Sequence, residues 1–259
     1  MLKGLVARHQ VDFTIANGEN AAGGLGITRA TAAELLDAGV QVITTGNHIW
    51  RQREAAQLVE EEPRVLRPAN FPSACPGRGG AVFTTARGRT VAVLNLLGRV
   101  FMEPLDCPFA ATDRELGPLQ ERTKVVLVDM HAEATSEKMA MGWYLDGRAS
   151  AVLGTHTHVQ TSDERLLPRG TAYITDVGLT GPRDAVLGVS ARPVLEHFQT
   201  GMPRRFELAP GPVVLNAIVV DIDEETGTAR SIQRVIEVHE QTPEQRASPQ
   251  GGDSSKASS

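Results

Sequence analysis

The sequence is short of aromatic residues, cysteines and long apolar runs, and each shortage excludes a class of protein. Aromatic residues make up 4% of the 259 residues, so a stacking platform for single-stranded nucleic acid is not expected. The two cysteines, Cys75 and Cys107, do not form a Cys-x-x-Cys pair, which favours a reduced protein. No run approaches the roughly 18 apolar residues of a membrane helix, and the N-terminus lacks the pattern of a secretion signal. We therefore expect a cytoplasmic protein without a membrane partner.

Positive charge is also in the minority. The net charge is −5 and the isoelectric point is about 5.8, so the electrostatic footprint of a general nucleic-acid binder is absent. Apolar residues make up 41% and charged residues 22% of the chain, which is ordinary globular usage. The length fits one α/β domain or one domain with a small insertion.

Short apolar runs alternate with helical patterns, which predicts an α/β fold. The early part is β-α-β and implies parallel strands, whereas the later part favours antiparallel strands. We therefore expect mixed β-sheets packed between helices. The predicted strands are residues 11–16, 40–44, 65–66, 81–86, 90–96, 125–128, 149–153, 171–175, 204–209, 213–222 and 228–238. The predicted helices are residues 28–38, 51–61, about 113–122, 136–145 and 192–200.

The two ends of the chain differ from its middle. Residues 241–259 contain almost no apolar side chains, so we expect a disordered tail after a single domain over residues 1–240. Leu2, Leu5 and Val6 have helical spacing, which predicts the last turns of an amphipathic helix. A β-α-β chain should place a strand before this helix, and the sequence has none. We therefore expect a domain that lacks its first strand and is incomplete at the N-terminus.

Four polar motifs each follow or end a strand-like run. In open α/β sheets, ligands bind outside the carboxyl ends of the strands, so these motifs are expected to converge. The motifs are Gly18-Glu19-Asn20, Gly46-Asn47-His48, Asp129-Met130-His131 and Gly154-Thr155-His156-Thr157-His158.

The residue types in these motifs are suited to divalent cations. A carboxylate can bridge two cations, while asparagine oxygens and imidazole nitrogens complete their coordination. His156 and His158 are two residues apart, and on an extended segment they would point the same way and serve neighbouring ions. Alone, each motif has a simpler interpretation: Asn20 and Asn47 could cap turns, and His131 could be a hydrogen-bonded core residue. All four in this order favour a metal centre.

The order Gly-Asn-His, His, Gly-x-His-x-His resembles that of calcineurin-like metallophosphoesterases. Longer runs resemble the bacterial YmdB-like branch, which has Glu where most metallophosphoesterases have a bridging Asp, and Glu19 fits that substitution. The resemblance covers roughly residues 5–238. The runs that carry it are Asn17–Gly24, Arg67–Pro72, Asp129–Lys138 and Gly154–Val159.

The resemblance implies a metallophosphoesterase-like sandwich that holds two divalent metal ions, with iron or manganese expected and magnesium, zinc or cobalt left open. It also implies His48 as the general acid. The implied ligands are Glu19, which bridges both ions, Asn20 and His158 for the first ion, and Asn47, His131 and His156 for the second ion.

The resemblance further implies hydrolysis of phosphodiesters, with 2′,3′-cyclic AMP among the substrates, by a hydroxide that bridges the two ions. We therefore expect a phosphodiesterase with a small phosphodiester substrate, and nucleic acid only as a substrate. Whether the chain forms a homo-oligomer is left open. The family begins with a strand that ends in Gly-Asp, whose Asp is a ligand of the first ion, and this sequence has no counterpart.

That departure leaves alternatives open. The chain could be a non-catalytic regulatory protein that keeps the fold, although His48, which is not needed as a ligand, favours an enzyme. A phosphomonoesterase, a protein phosphatase and a nuclease for long RNA also remain open.

Other polar residues allow two interpretations. Arg99 could contact a phosphate or be a solvated loop residue, and Asp176 could support a histidine ligand. Asp129 could simply start a loop, and Glu133 and Glu137 are most simply charges at a helix start.

Overall fold

The computed structural model describes residues 1–240, so the predicted disordered tail, residues 241–259, lies outside the described residues. The chain forms two compact units. The first contains residues 1–179 and 216–236, and the second contains residues 180–215 and continues from residue 237. A single domain over residues 1–240 therefore remains a prediction.

The described residues confirm the mixed α/β class. The helices are α1 (Leu2–Arg8), α2 (Arg29–Asp37), α3 (Ala55–Glu61), α4 (Pro108–Gln120), α5 (Thr135–Leu145) and α6 (Ala191–Thr200). The strands are β1 (Ile15–Asn17), β2 (Val42–Thr44), β3 (Gly80–Thr84), β4 (Thr90–Leu97), β5 (Val126–His131), β6 (Ala151–Thr155), β7 (Arg165–Leu166), β8 (Ala172–Ile174), β9 (Thr180–Pro182), β10 (Val213–Ile222) and β11 (Ala229–His239).

A six-stranded sheet forms the centre of the first unit. Its strand order is β3-β4-β5-β6-β8-β7, with β4, β5, β6 and β8 parallel and the edge strands β3 and β7 antiparallel to their neighbours. After Thr90, every residue of β4 is buried, as expected for a strand covered on both faces. The core residues of β4 and β5 pack with Leu116 of α4 and Met141 of α5.

A smaller parallel pair, β1 and β2, places Asn17 opposite Thr44. The Thr44 hydroxyl and the Asn17 amide both donate to the Asp129 carboxylate, which lies near the carboxyl end of β5. The carboxyl ends of β1, β2 and β5 therefore meet at one place. Thr28 caps α2, since its side chain accepts from the Thr31 N–H at 3.2 Å, which satisfies a donor left free at the helix start.

Some predicted elements differ from the structure in extent, and one does not form. The predicted helix over residues 51–61 is split, because the backbone of Gln52 is extended between a 3-10 turn at Ile49–Arg51 and α3. The predicted strand over residues 204–209 does not form; only Leu208 makes an isolated bridge, to Val189. Prolines at 203 and 210 flank that segment, and proline has no N–H to donate to a strand ladder.

The second unit contains β9, which pairs antiparallel with Val213–Leu215 at the start of β10. Its helix α6 ends at Gly201, which takes the left-handed conformation with φ 68° that glycine adopts without a steric penalty. No helix in residues 1–240 is both long enough and apolar enough to span a bilayer.

Candidate metal centre

The side chain of His131 lies at the centre of a compact group of ligand atoms. Its Nε2 is 3.1 Å from Glu19 Oε2, 3.2 Å from Asn47 Oδ1 and 3.0 Å from His156 Nδ1. Glu19 is 2% and His131 1% exposed. The four residues follow or end β1, β2, β5 and β6, so the predicted convergence at one sheet edge occurs. The ligand atoms of Glu19, His131 and His156 lie within 4.8 Å of one another and could hold a metal ion.

Hydrogen bonds on the far side of the His131 ring indicate why a cation fits here. The Thr155 hydroxyl donates to Asp129 Oδ1 at 2.6 Å, so its lone pairs can accept the Nδ1–H of His131 at 2.9 Å. The bond at one ring nitrogen sets the role of the other, which directs a lone pair of Nε2 into the group. A proton on Nε2 could be donated to one acceptor at a time, whereas a cation satisfies all of them.

Glu19 carries a negative charge into this group. Burial alone would raise the pKa of its carboxyl, but without a bound cation a protonated His131, through its hydrogen bond and its charge, and then the charge of His48, would lower that pKa to about 2. A buried carboxylate needs a compensating partner, and a divalent cation would provide one.

The remaining predicted residues form a second, adjacent group. Asn20 Oδ1 lies 2.9 Å from His48 Nδ1, while its amide nitrogen lies 3.2 Å from Glu19 Oε1 and 3.2 Å from His158 Nε2. His48 also donates its backbone N–H to Glu19 Oε2 at 3.3 Å. His158 Nδ1 is buried and has no hydrogen-bond partner within residues 1–240. All seven predicted site residues are therefore brought together.

Glycines permit this close approach. A Cβ at Gly46 would overlap His131 Nε2 and Glu19 Oε2, and a Cβ at Gly154 would overlap the Thr175 carbonyl oxygen. A side chain at either position would displace the groups that build the centre, so only glycine fits.

Comparison with known proteins decides the family. The sequence matches the model of the YmdB-like protein family over residues 1–235. It is 48% identical over 232 residues to the 2′,3′-cyclic-nucleotide 2′-phosphodiesterase of Bacillus subtilis, an alignment that covers 90% of this chain and 88% of that relative. The chain belongs to the YmdB-like family. The predicted family is thus confirmed, and the relatives' names agree with the predicted hydrolase class.

Solved structures of similar proteins support the YmdB-like fold. A protein from Thermus thermophilus is 44% identical with a TM-score of 0.83, and the match covers 89% of each chain. A phosphatase from Mycoplasma pneumoniae is 32% identical with a TM-score of 0.85, and the match covers 94% of this chain and 88% of that one.

The conformation of the His-x-His segment in this YmdB-like chain differs from the prediction. The two-residue spacing predicts an extended segment, but His156 and His158 have φ values of 99° and 67°. Such left-handed conformations cost a non-glycine residue about 1–3 kcal/mol each, and the surrounding structure must hold them. The two imidazoles reach the centre through a bend after β6 and not through strand alternation.

A buried ion pair holds that bend. Asp176 Oδ2 accepts from the Thr157 N–H at 3.0 Å and from its hydroxyl at 2.7 Å, and it pairs with Lys138 Nζ at 2.8 Å. Lys138 and Asp176 are 0% and 1% exposed. Asp176 thus supports the segment between the two histidines, without contacting either imidazole.

Asp129 is another correction, since it does not start a loop. It lies within β5, where its carboxylate accepts from Thr44, Thr155 and Asn17. Burial raises the pKa of this carboxyl, although the charge of His131 and these hydrogen bonds oppose the rise. Asp129 thus links both sheets behind His131. Sequence reasoning missed Asn17 and Thr155 in this role, although both lie in runs that carry the family resemblance.

Glu133 and Glu137 have different contacts, and neither is only a charge at a helix start. Glu133 Oε2 lies 3.1 Å from His156 Nε2, which favours a proton on Nε2 and leaves Nδ1 free to face the centre. Glu137 is buried, and its carboxylate accepts the backbone N–H groups of Arg99 and Val100. The side chain of Arg99 is exposed.

Proposed function

We propose that this chain is a two-metal phosphodiesterase that hydrolyses small phosphodiesters, with 2′,3′-cyclic nucleotides such as 2′,3′-cyclic AMP as substrates. The observation that supports it best is the convergence of Glu19, Asn47 and His156 on His131 Nε2 at 3.0–3.2 Å. The name of the Bacillus subtilis relative supports the substrate class.

We propose the ligand assignment that the family resemblance implies. Glu19 has one oxygen in each group, because Oε2 lies near His131 and Oε1 lies near the Asn20 amide. A carboxylate with its oxygens placed this way is suited to bridging two ions. The proposed ligands are Asn47, His131 and His156 for one ion, Asn20 and His158 for the other, and Glu19 for both.

Asn20 would have to turn its amide to serve as a ligand. Its nitrogen faces Glu19 and His158, and its oxygen faces His48 Nδ1. A half-turn of the amide exchanges these atoms, so that an oxygen faces the ion position and an N–H faces His48 Nδ1. His48 would then carry its proton on Nε2.

His48 is the proposed general acid, since 26% of its side chain is exposed and a substrate can reach it. When bound, the divalent ions supply Lewis-acid charge to the phosphoryl oxygens and acidify the attacking water. His48 holds a proton at Nε2 and delivers it to the leaving ribose oxygen, while Asn20 fixes the ring through Nδ1. Such proton transfer contributes about 10²–10⁴ in rate.

Iron or manganese are the proposed ions. The proposed ligand set contains imidazole, carboxylate and amide oxygen atoms but no thiolate, and such mixed N/O ligands suit first-row divalent metals. We also propose a cytoplasmic location, because neither of the two cysteines forms a disulfide, which suits a reducing compartment.

The test is metal content together with metal-dependent hydrolysis. The purified protein, loaded with Mn²⁺ or Fe²⁺ and desalted, should hold two ions per chain and open 2′,3′-cyclic AMP to one monophosphate. A chain that holds both ions but hydrolyses neither this compound nor a generic phosphodiester would support the non-catalytic alternative. Faster hydrolysis of phosphomonoesters than of phosphodiesters would favour the phosphatase alternative.

A further inference from the structure

The loop between β4 and α4 lies beside the metal centre and contributes none of its proposed ligands. It follows the carboxyl end of β4, so it shares the sheet edge with the four ligand motifs. The Gly98 N–H at its start donates to the His131 carbonyl at 2.9 Å. Further along, Met102 Sδ accepts from the Glu133 N–H at 3.3 Å. The loop is thus attached to the segment that carries His131.

Two buried side chains fix the shape of this loop. Asn70, which is 0% exposed, donates to the carbonyls of Leu97 at 2.8 Å and Asp106 at 3.0 Å, and so ties both ends of the loop together. Glu137 accepts the N–H groups of Arg99 and Val100 at 3.0–3.3 Å. A loop held in this way loses little conformational entropy when it binds a ligand.

The fixed loop presents side chains that the fold does not use. Phe101 is 89% exposed, and none of the ring contacts within residues 1–240 includes it. Its backbone has φ 63°, a conformation that costs a non-glycine residue about 1–2 kcal/mol. The guanidinium of Arg99 makes no ion pair or hydrogen bond in the described part of the chain, where only its backbone is hydrogen-bonded.

An open cavity of about 400 Å³ lies against the loop, lined by Arg99, Val100, Met102, Pro104, Leu105 and Glu137. Its size falls in the range of small-molecule sites, which are mostly apolar with a few polar groups. The carboxylate of Glu137 is already engaged by backbone N–H groups, so Arg99 is the charged group with free hydrogen-bonding capacity. Apolar walls, a guanidinium and an adjacent exposed ring suit a nucleotide, because arginine pairs with phosphate and aromatic rings stack on bases.

We propose that this loop and cavity bind a nucleotide substrate, with Phe101 stacked on the base and Arg99 paired with the phosphate. The inference rests on the proposed phosphodiesterase function and adds the residues that select a nucleotide. Arg99 acts on any phosphodiester, whereas Phe101 acts only on a substrate that carries a base.

The test compares 2′,3′-cyclic AMP with a base-free methyl ribofuranoside 2,3-cyclic phosphate, using the metal-loaded full chain. The wild-type enzyme should prefer the nucleotide. Phe101→Ala should lower kcat/KM for the nucleotide roughly tenfold, which corresponds to about 1.4 kcal/mol of lost stacking, and leave the base-free substrate unchanged. Arg99→Ala should lower kcat/KM for both substrates by a similar factor.

Matched controls come from the second unit, where Phe198 is 78% exposed and the side chain of Arg192 91% exposed. Phe198→Ala and Arg192→Ala should change neither substrate, and all four variants should retain the wild-type metal content. Equal effects of Phe101→Ala on both substrates, no effect on either, or a wild-type enzyme without preference for the nucleotide would overturn the inference. A metal-loaded wild-type protein that hydrolyses neither substrate would refute the proposed function itself, and this inference with it.

Discussion

The two halves of the metal centre differ in how ready they are for a cation. Around His131, three acceptor atoms lie within 3.0–3.2 Å of one imidazole nitrogen, and both Glu19 and His131 are almost fully buried. Around Asn20, the nearest groups are hydrogen-bonded to one another, and an amide nitrogen stands where a ligand oxygen is needed. The first half needs only an ion, whereas the second half also needs a side-chain rearrangement.

The difference follows from the elements that carry the residues. His131 is the last residue of a central strand and is held from behind by Thr155 and Asp129. Asn47 and His156 lie just outside strands, as Asn20 and His158 do, so only the half with His131 has a ligand on a strand. Ligands on rigid elements are placed more accurately than ligands on loops, so the half with His131 is expected to bind its ion more tightly.

Replacing the residue shared by both halves should have the largest effect. Glu19→Ala removes the carboxylate whose two oxygens face the two groups, so we expect loss of both ions and of hydrolysis. Metal analysis of the desalted protein measures this. Glu60→Ala, at an exposed position of α3, is the control and should retain both ions. Full metal content in Glu19→Ala would show that the carboxylate does not bridge.

The next largest effect is expected on turnover, from a variant that should lose activity and keep its metal ions. His48→Ala removes the proposed proton donor, which is not a proposed ligand, so turnover should fall by about 10²–10⁴ while metal content is unchanged. Steady-state kinetics and metal analysis of the same sample give both values. His197→Ala, a half-buried histidine of α6 in the second unit, should have no effect. Normal turnover in His48→Ala would exclude His48 as the general acid.

The sequence predicts which residues are ligands better than it predicts the contacts that hold those residues in place. Glu19, Asn47, His131 and His156 follow apolar runs, and the convergence of strand ends at one sheet edge is a general rule. The positive φ values of His156 and His158 were not predictable, because two-residue spacing alone suggests an extended segment. They depend on Asp176, which lies 18 residues beyond His158 in the sequence and is brought to the bend only by the pairing of β6 with β8.

The fold was predictable where local patterns are strong. The helical pattern over residues 28–38 predicts α2, and the adjacent strand-like runs 81–86 and 90–96 predict β3 and β4. Sequence patterns could not exclude a strand at residues 204–209, because a strand also needs a partner with free backbone groups. They likewise could not place Lys138, a charged residue that is 0% exposed because Asp176 neutralises it.

A smaller effect is expected when Asp176, which holds the bend between His156 and His158, is replaced. Asp176→Asn leaves Lys138 buried without its counter-ion and weakens the hold on Thr157, so metal affinity should fall about 10–100-fold. Both halves should be affected, because Thr157 lies between their histidines. Titration of the metal-free variant with Mn²⁺ measures the affinity.

The matched control for this change is Asp146→Asn. Asp146 is also buried and accepts a backbone N–H, from Arg169 at 3.0–3.1 Å, but it has no contact with a proposed ligand. It should lower the melting temperature without changing metal affinity. If both variants lose stability and neither loses affinity, Asp176 has only a structural role.

The smallest loss of metal affinity is expected when Glu133 is replaced. This variant tests whether a buried supporting residue matters more for metal affinity than an exposed one. Glu133 contacts His156 Nε2 at 3.1 Å, but 49% of its side chain is exposed. Water can take its place, and exposed ion pairs contribute about 0.2–1 kcal/mol. Glu133→Gln keeps an acceptor oxygen and removes the charge, so metal affinity should fall no more than about fivefold, within that energy range. A loss as large as that of Asp176→Asn would mean that charge near the imidazole, and not burial of its support, controls how firmly this half holds its ion.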